Sequence, residues 1–196
     1  MPYFLFFDTE TTGLPKNYKA SYKDVDNWPR IIQLAWLMTD ETGEEIARSC
    51  QLVKPDGWVI PDGEFWVKNG FSTKDNELYG EPIKKLLVDF LIYKKECDYL
   101  VAHNMSYDMP IIMSELYRAQ ITGPHSEIKK ICTKDSGTDY CKLPGSYGKY
   151  KWPKLEEVHQ KLFGRGFEGA HDAMNDVIAC KDCFFEMVKL GIIKLQ

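Results

Sequence analysis

The chain has 196 residues, of which 44% are hydrophobic and 13% are aromatic, and its formal net charge is −4. These values predict one compact domain over residues 1–196 and exclude a disordered chain or a uniformly basic nucleic-acid-binding surface. A locally acidic site that holds cations against phosphate stays compatible with them. The apolar residues 3–7 are too short for a membrane helix and carry no basic residue, so we predict a cytoplasmic protein without a signal peptide or membrane anchor.

Three apolar segments in the first part of the chain predict β-strands, at residues 3–7, 31–38 and about 46–53. A turn over residues 40–45 separates the second from the third, which indicates an antiparallel meander. Residues 55–72 are rich in Pro, Gly and Trp and predict an irregular excursion. Two further short strands are predicted at residues 99–102 and 128–132.

Helical spacing of apolar residues predicts four helices. They cover residues 82 to about 94, about 108–118, about ten residues from Pro153 to Gly164, and about 172–190, where Gly191 ends the last helix. Three strands come first, and helices then alternate with strands. This order predicts an α/β fold with a mixed sheet, antiparallel at one side, flanked by helices.

The six cysteines predict thiols in or near the core of a reduced protein. Cys180 and Cys183 have the spacing of half a zinc site, but no second Cys or His pair has matching spacing. They also lie one turn apart on the last predicted helix, which favours a packing role.

Four acidic residues stand where the predicted elements begin or end. Asp8 and Glu10 lie at the end of the first strand, and alternation places both on one side while Thr9 points away. Asp108 starts a predicted helix, where a helix cap is the ordinary interpretation. Asp176 lies one turn into the last helix beside small apolar residues, so its burial is costly unless it is paired or bound to a metal.

His171 precedes Asp176 by five residues, just before the last predicted helix. Its imidazole can titrate near neutral pH and reach over a site to which Asp176 contributes. Taken singly, an exposed histidine is the more ordinary interpretation, and the acids have equally ordinary roles as caps or turn residues. Paired carboxylates of this kind suit a hard cation such as Mg²⁺ or Mn²⁺.

The order of three segments resembles the three exonuclease motifs of the DEDDh family of 3′→5′ exonucleases, which includes the proofreading epsilon subunit of bacterial DNA polymerase III and ribonuclease T. The segments are residues 7–14 (FDTETTGL), 102–108 (AHNMSYD) and 170–176 (AHDAMND). The resemblance extends from residue 4 to about residue 188 and implies a ribonuclease H-like fold.

The resemblance also implies roles for individual residues. Asp8, Glu10, Asp108 and Asp176 match the acids that bind two divalent cations, Mg²⁺ or Mn²⁺, and His171 matches the general base of phosphodiester hydrolysis. Thr11, Gly13 and Leu14 would contact the terminal nucleotide, and His103, Asn104 and Tyr107 would form the pocket wall. Turn formation and packing are alternative roles for Asn104 and Tyr107.

The expected substrate is a single-stranded or frayed 3′ end of DNA, as in proofreading or repair, with release of 5′-mononucleotides. Trimming of RNA 3′ ends is the alternative, and a catalytically silent nucleic-acid-binding domain is a third interpretation. The sequence is compatible with action alone, with a polymerase partner or as a homodimer.

Three further features of the sequence lie outside the three motifs. Residues 142–154 (KLPGSYGKYKWPK) hold four lysines, three aromatic residues and no acid, which fits either a nucleic-acid-contacting loop or a solvated loop with its aromatic rings in the core. Asn69 stands where many members of the family have histidine. Cys132 precedes Thr133 where an Asp-Thr pair is common.

Overall fold

The computed structural model describes residues 1–121 and 128–195. Five strands form one sheet in the order β3-β2-β1-β4-β5. They are β1 (Phe4–Thr11), β2 (Ile31–Thr39), β3 (Glu45–Leu52), β4 (Tyr99–Ala102) and β5 (Lys129–Cys132). Pairing is antiparallel from β1 through β3 and parallel from β1 through β4 to β5. The predicted mixed sheet is therefore confirmed.

Seven α-helices lie around this sheet in the described part of the chain. They are α1 (Glu64–Lys68), α2 (Thr73–Tyr79), α3 (Ile83–Glu96), α4 (Met105–Arg118), α5 (Thr133–Cys141), α6 (Leu155–Phe163) and α7 (Ala173–Lys189). The predicted helices α3, α6 and α7 agree with the structure to within about two residues at most ends.

The two faces of β1 belong to two different cores, because its side chains alternate. Leu5 and Phe7 pack among residues of α3 and α4. Phe4 and Phe6 pack among residues of α7, including Phe184, whose ring centroid is 5.3 Å from that of Phe6. The sheet thus separates α4 from α7, and residues at the end of β1 can meet side chains from both.

Four sequence predictions need correction. Strand β1 continues to Thr11 rather than ending at residue 7, so Asp8 and Glu10 lie within it, because their backbone still pairs with β2. Helix α4 begins at Met105, so Asp108 is not its cap; the N-cap residue is Asn104, in a left-handed conformation. Residues 55–72 contain α1, and helices α2 and α5 were not predicted.

A buried ion cluster fixes α4 against the start of β2. The Glu115 side chain is 1% exposed and accepts hydrogen bonds from Arg30 Nε at 2.7 Å and Arg118 Nη1 at 3.0 Å. It also accepts one from the backbone N–H of Ile31 at 3.3 Å. A buried carboxylate with this many donors is compensated, and the cluster sets the position of α4.

The predicted position of the six thiols in or near the core is confirmed, since three of them are buried (Cys141, Cys180 and Cys183) and three are half-buried (Cys50, Cys97 and Cys132). Cys180 and Cys183 pack among the apolar residues between α7 and the sheet. Among the helices in residues 1–121 and 128–195, none is long and apolar enough to cross a membrane.

Candidate active site

Asp8 and Glu10 lie on the face of β1 that is covered by α7. Opposite them on β2 are Ala35 and Gln33. Gln33 is 7% exposed, and its amide oxygen accepts a hydrogen bond from the backbone N–H of Ala173 at 3.0 Å. Its amide nitrogen lies 3.3 Å from Asp172 Oδ2. Gln33 therefore holds the first turn of α7 beside Glu10.

Asp172 and Asp176 have different tasks at this helix end. Asp172 is the N-cap of α7, and its carboxylate accepts hydrogen bonds from the N–H groups of Met174 and Asn175. Asp176 lies one turn further on and accepts from the backbone N–H of His171 at 3.1 Å. This places the Asp176 carboxylate at the pocket that Asp8 and Glu10 line.

Asp108 reaches the same pocket from the other face of the sheet. Its carboxylate accepts hydrogen bonds from Thr9 Oγ1 at 2.7 Å and from the Thr9 backbone N–H at 3.2 Å. Thr9 points away from Asp8 and Glu10, as alternation predicts, and this orientation is what allows it to bind Asp108. The Asp108 residue is only 2% exposed.

One pocket of about 520 Å³ gathers all of the predicted site residues. Its lining includes the acids Asp8, Glu10, Asp108 and Asp176, the histidine His171, and the residues Thr11, Gly13, Leu14, His103, Asn104 and Tyr107. No lysine or arginine from residues 1–121 or 128–195 lines it. The negative charges therefore face one another without a cationic side chain among them.

Burial is the main reason that the pKa of every acid in the pocket is raised. Burial, reinforced by Asp176 and Asp108, raises the pKa of Glu10 from 4.5 to about 8. Burial and the neighbouring carboxylates raise the pKa of Asp8 well above its usual range. Burial also raises the pKa of Asp108, against the opposing effect of the Thr9 hydrogen bonds, and that of Asp176 to about 6.

The residues fit a divalent cation by the chemistry of their donors. Carboxylate oxygens are the ligands that Mg²⁺ and Mn²⁺ prefer, and like charges so close together are stable as anions only when a cation lies among them. Donor atoms of Glu10, His171 and Asp176 already lie within 4.8 Å of one another. Asp8 and Asp108 line the same pocket outside this group.

His171 is an exposed residue held in an unusual backbone conformation. Its φ of 70° lies in the left-handed region, which non-glycine residues seldom adopt and which is frequent at functional sites. Its ring meets the Phe65 ring edge to face, with centroids 5.2 Å apart. The imidazole therefore faces the pocket with a defined aromatic support.

The rim beside the acids is built by Thr11 and Tyr107. Tyr107 Oη donates a hydrogen bond to the Gly13 carbonyl at 2.8 Å and lies 2.6 Å from Thr11 Oγ1. This fixes the turn that carries Leu14, which is 73% exposed at the pocket. A structural role of Tyr107 in the turn, one of the two predicted alternatives, is thus present in the structure.

His103 links the pocket wall to residue 153. Its Nε2 lies 3.1 Å from the Pro153 carbonyl and its Nδ1 lies 2.9 Å from Thr133 Oγ1. A carbonyl can only accept, so Nε2 carries the proton and Nδ1 accepts from the hydroxyl. Burial lowers the pKa of His103 to about 4, so the ring is neutral and acts as a fixed connector.

Comparison with solved structures identifies the fold. Exonuclease I aligns with 96% of this chain at a TM-score of 0.73 and 20% identity. The chain has the exonuclease I fold. Escherichia coli exonuclease I in complex with a dT13 oligonucleotide aligns with 97% of the chain, at a TM-score of 0.72 and 18% identity. The zinc-bound form of its complex with single-stranded DNA also aligns with 97% of the chain, at a TM-score of 0.73 and 19% identity.

The chain spans only about two fifths of these proteins, since it covers 41%, 43% and 41% of their respective lengths. No protein-family model and no curated protein matches the sequence. The ribonuclease H-like fold expected from the motifs is confirmed by this similarity to exonuclease I.

Within this exonuclease I fold, sequence reasoning missed four residues that line the pocket, namely Thr9, Tyr18, Phe65 and Trp66. Phe65 and Trp66 belong to α1, and Trp66 Nε1 donates a hydrogen bond to the Thr11 carbonyl at 2.9 Å. The sequence signal that could have identified α1 as part of the pocket is the adjacent pair of aromatic residues, Phe65 and Trp66. Asn69 does not line the pocket; its amide donates to the Phe65 carbonyl at the end of α1.

Proposed function

We propose that this chain is a metal-dependent 3′→5′ exonuclease that hydrolyses the terminal phosphodiester bond of a DNA strand and releases 5′-mononucleotides. The observation that carries the proposal is the set of four carboxylates, from both faces of the sheet, in one pocket without a lysine or arginine in its described lining. The structural similarity to exonuclease I supports the same function.

Asp8, Glu10, Asp108 and Asp176 are the residues that would hold two divalent cations, Mg²⁺ or Mn²⁺. Bound there, the cations would neutralise the carboxylates, polarise the phosphodiester and make the attacking water more acidic. Thr9 keeps Asp108 in place, and Gln33 keeps Asp176 in place through the first turn of α7.

His171 is the proposed general base. Its ring lies close to Glu10 and Asp176 and is accessible to solvent, so it can accept the proton of the water that attacks phosphorus. The backbone contact from His171 N–H to Asp176 and the Phe65 ring restrict where the imidazole can lie.

The terminal nucleotide would occupy the part of the pocket between the acids and the rim. Leu14 and the α1 residues Phe65 and Trp66 present apolar surfaces for a base or sugar, and Thr11 and Asn104 present polar groups. An exposed apolar side chain such as Leu14 at a pocket edge is suited to packing against a base.

The structural neighbours support single-stranded DNA as the substrate of this chain. Exonuclease I has been crystallised with dT13 and dA16 oligonucleotides and in a product-bound form. RNA is the alternative, because the choice depends on how the pocket receives the 2′-hydroxyl. A role in proofreading or repair, a cytoplasmic location, and a polymerase partner or homodimer stay predictions from the sequence.

Matched DNA and RNA oligonucleotides with a 5′ label would test the proposal in the presence of Mg²⁺ or Mn²⁺. We expect a ladder of products shortened one nucleotide at a time from the 3′ end, 5′-mononucleotides in solution, and faster digestion of DNA. Faster digestion of RNA would favour the alternative substrate. Internal cuts, or shortening from the 5′ end, would contradict a 3′→5′ exonuclease.

A further inference from the structure

The lysine–aromatic loop, residues 142–154, is an ordered projection beside the candidate active site. Pro144 and Tyr150 form a β-bridge, and Lys151 N–H donates to the Leu143 carbonyl at 3.0 Å. Gly145 N–H donates to the Lys149 carbonyl at 3.0 Å. The loop is therefore a small hairpin whose tip is the turn at residues 146–148.

The aromatic side chains of this loop are exposed to solvent, which excludes the alternative in which they pack into the core. Tyr147 at the tip is fully exposed, Trp152 is 67% exposed and Tyr150 is 45% exposed. Three large rings within six residues of one hairpin are thus available to a ligand.

The lysines of the loop are largely free to meet a ligand. Lys151 is paired with Glu157, with Nζ 2.6 Å from Oε1. Lys142, Lys149 and Lys154 are exposed and make no ion pair with residues 1–121 or 128–195. A locally cationic surface thus stands out on a chain whose net charge is −4.

Two direct connections join the loop to the pocket. Pro153, which follows Trp152, accepts the hydrogen bond from His103 of the pocket wall. Lys134 of α5 lies with its Nζ 4.7 Å from the centroid of the Trp152 ring and 2.5 Å from Asn104 Oδ1. Asn104 lines the pocket, so polar and aromatic groups continue from the pocket outward to the loop.

We propose that the lysine–aromatic loop, together with Lys134, binds the part of a single polynucleotide strand that lies outside the pocket, on the 5′ side of the terminal nucleotide. Trp152 and Tyr147 stack on bases, and the lysines contact phosphates. The described lining of the pocket supplies rings, hydroxyls and carboxylates but no lysine or arginine, so the phosphates of the outer nucleotides find their cations here. This inference rests on the proposed function, because it needs a strand whose 3′ end enters the pocket.

The test compares a long substrate with one that fills only the pocket. The substrates are a 12-nucleotide single strand and the p-nitrophenyl ester of thymidine 5′-monophosphate. We expect Trp152→Ala to raise KM for the 12-mer about tenfold, within the range for loss of one stacked base, with kcat and the hydrolysis of the ester unchanged. Trp152→Phe should restore KM. Tyr79→Ala, which removes an equally exposed aromatic residue from α2, is the matched control.

A second measurement needs no turnover. Fluorescence anisotropy of the labelled 12-mer with Ca²⁺ should show about tenfold weaker binding by Trp152→Ala. Lys149→Ala should reduce the slope of log affinity against log salt by about 0.7, as expected for one lost phosphate contact. Lys84→Ala, which removes an exposed lysine of α3 outside the loop, is the matched control and should leave the slope unchanged.

The outcomes separate the two proposals. If the wild type hydrolyses neither substrate, the proposed function fails, while the anisotropy result still decides whether the loop binds the strand. If both substrates are hydrolysed but Trp152→Ala binds and cleaves the 12-mer like the wild type, the loop proposal is overturned. The exposed rings of the loop would then be better explained by contact with another protein. Equal losses on the ester and the 12-mer would also overturn it, because the loop would then only shape the pocket.

Discussion

Replacing Glu10 by glutamine should stabilise the metal-free protein at alkaline pH. Glu10 is 8% exposed, and its pKa is raised from 4.5 to about 8, first by burial and then by Asp176 and Asp108. The folded state therefore binds a proton more tightly than the unfolded state does. The contribution of Glu10 to the stability of the wild type is therefore most favourable below the unfolded pKa near 4.5, and it is lost as pH rises towards 8. A glutamine amide does not titrate, so the Glu10→Gln variant avoids this loss.

The size of this difference in unfolding free energy follows from the pKa shift of Glu10. A difference of about 3.5 units at about 1.36 kcal/mol each sets a ceiling of about 5 kcal/mol. Because the pocket is open to water, which screens the carboxylates, we expect about 2 kcal/mol. For a chain of this size that corresponds to a rise in Tm of about 4–8 °C at pH 8.5, and to almost none at pH 4.5.

Thermal unfolding followed by circular dichroism in EDTA, at pH 4.5 and pH 8.5, would measure this. The control variant Glu77→Gln, which changes an exposed acid on α2, should leave Tm unchanged at both pH values. Addition of Mn²⁺ at pH 8.5 should reverse the order, because the wild type binds the cation more tightly and gains more from it. The reasoning fails if Glu10→Gln is no more stable than the wild type at pH 8.5, or if its gain is the same at both pH values.

Three further substitutions probe single contacts. His171→Ala should lower kcat by about 10²–10⁴, as for a lost general base, while the Mn²⁺ affinity measured by calorimetry stays unchanged. A parallel loss of Mn²⁺ affinity would show that His171 is a metal ligand instead. Thr9→Val removes the hydroxyl that binds Asp108 and should cost about 2 kcal/mol of unfolding free energy with Mn²⁺ bound; an unchanged Tm would show that the backbone N–H suffices. Phe65→Ala removes the ring beside His171 and should lower kcat about two- to tenfold, with recovery in Phe65→Tyr and a contradiction if kcat is unchanged.

The sequence was most informative where a local pattern decides the structure. Alternation along β1 correctly placed Asp8 and Glu10 on one side and Thr9 on the other. The apolar spacing of α7 and the glycine that follows it predicted that helix almost to the residue. Both patterns arise from the geometry of a single element and require no knowledge of its neighbours.

The parts that were missed depend on partners far away in the chain. Thr9 gains its role from Asp108, which follows it by 99 residues, and Glu115 is buried only because Arg30 and Arg118 meet it. Helix α1 has no buried residue of its own, and Trp66 is placed by a hydrogen bond to Thr11. Helix α5 has polar, low-propensity residues and is fixed by packing on α6 and α7.

Hydrolysis of a 5′-labelled single-stranded DNA oligonucleotide by the wild type and by Asp176→Asn, with Mn²⁺ and with EDTA, tests the central claim most directly. We predict stepwise shortening from the 3′ end by the wild type with Mn²⁺, no shortening in EDTA, and loss of activity in Asp176→Asn, while Glu77→Gln acts like the wild type. An inactive wild type in Mn²⁺ and Mg²⁺, or an Asp176→Asn variant as active as the wild type, would contradict it.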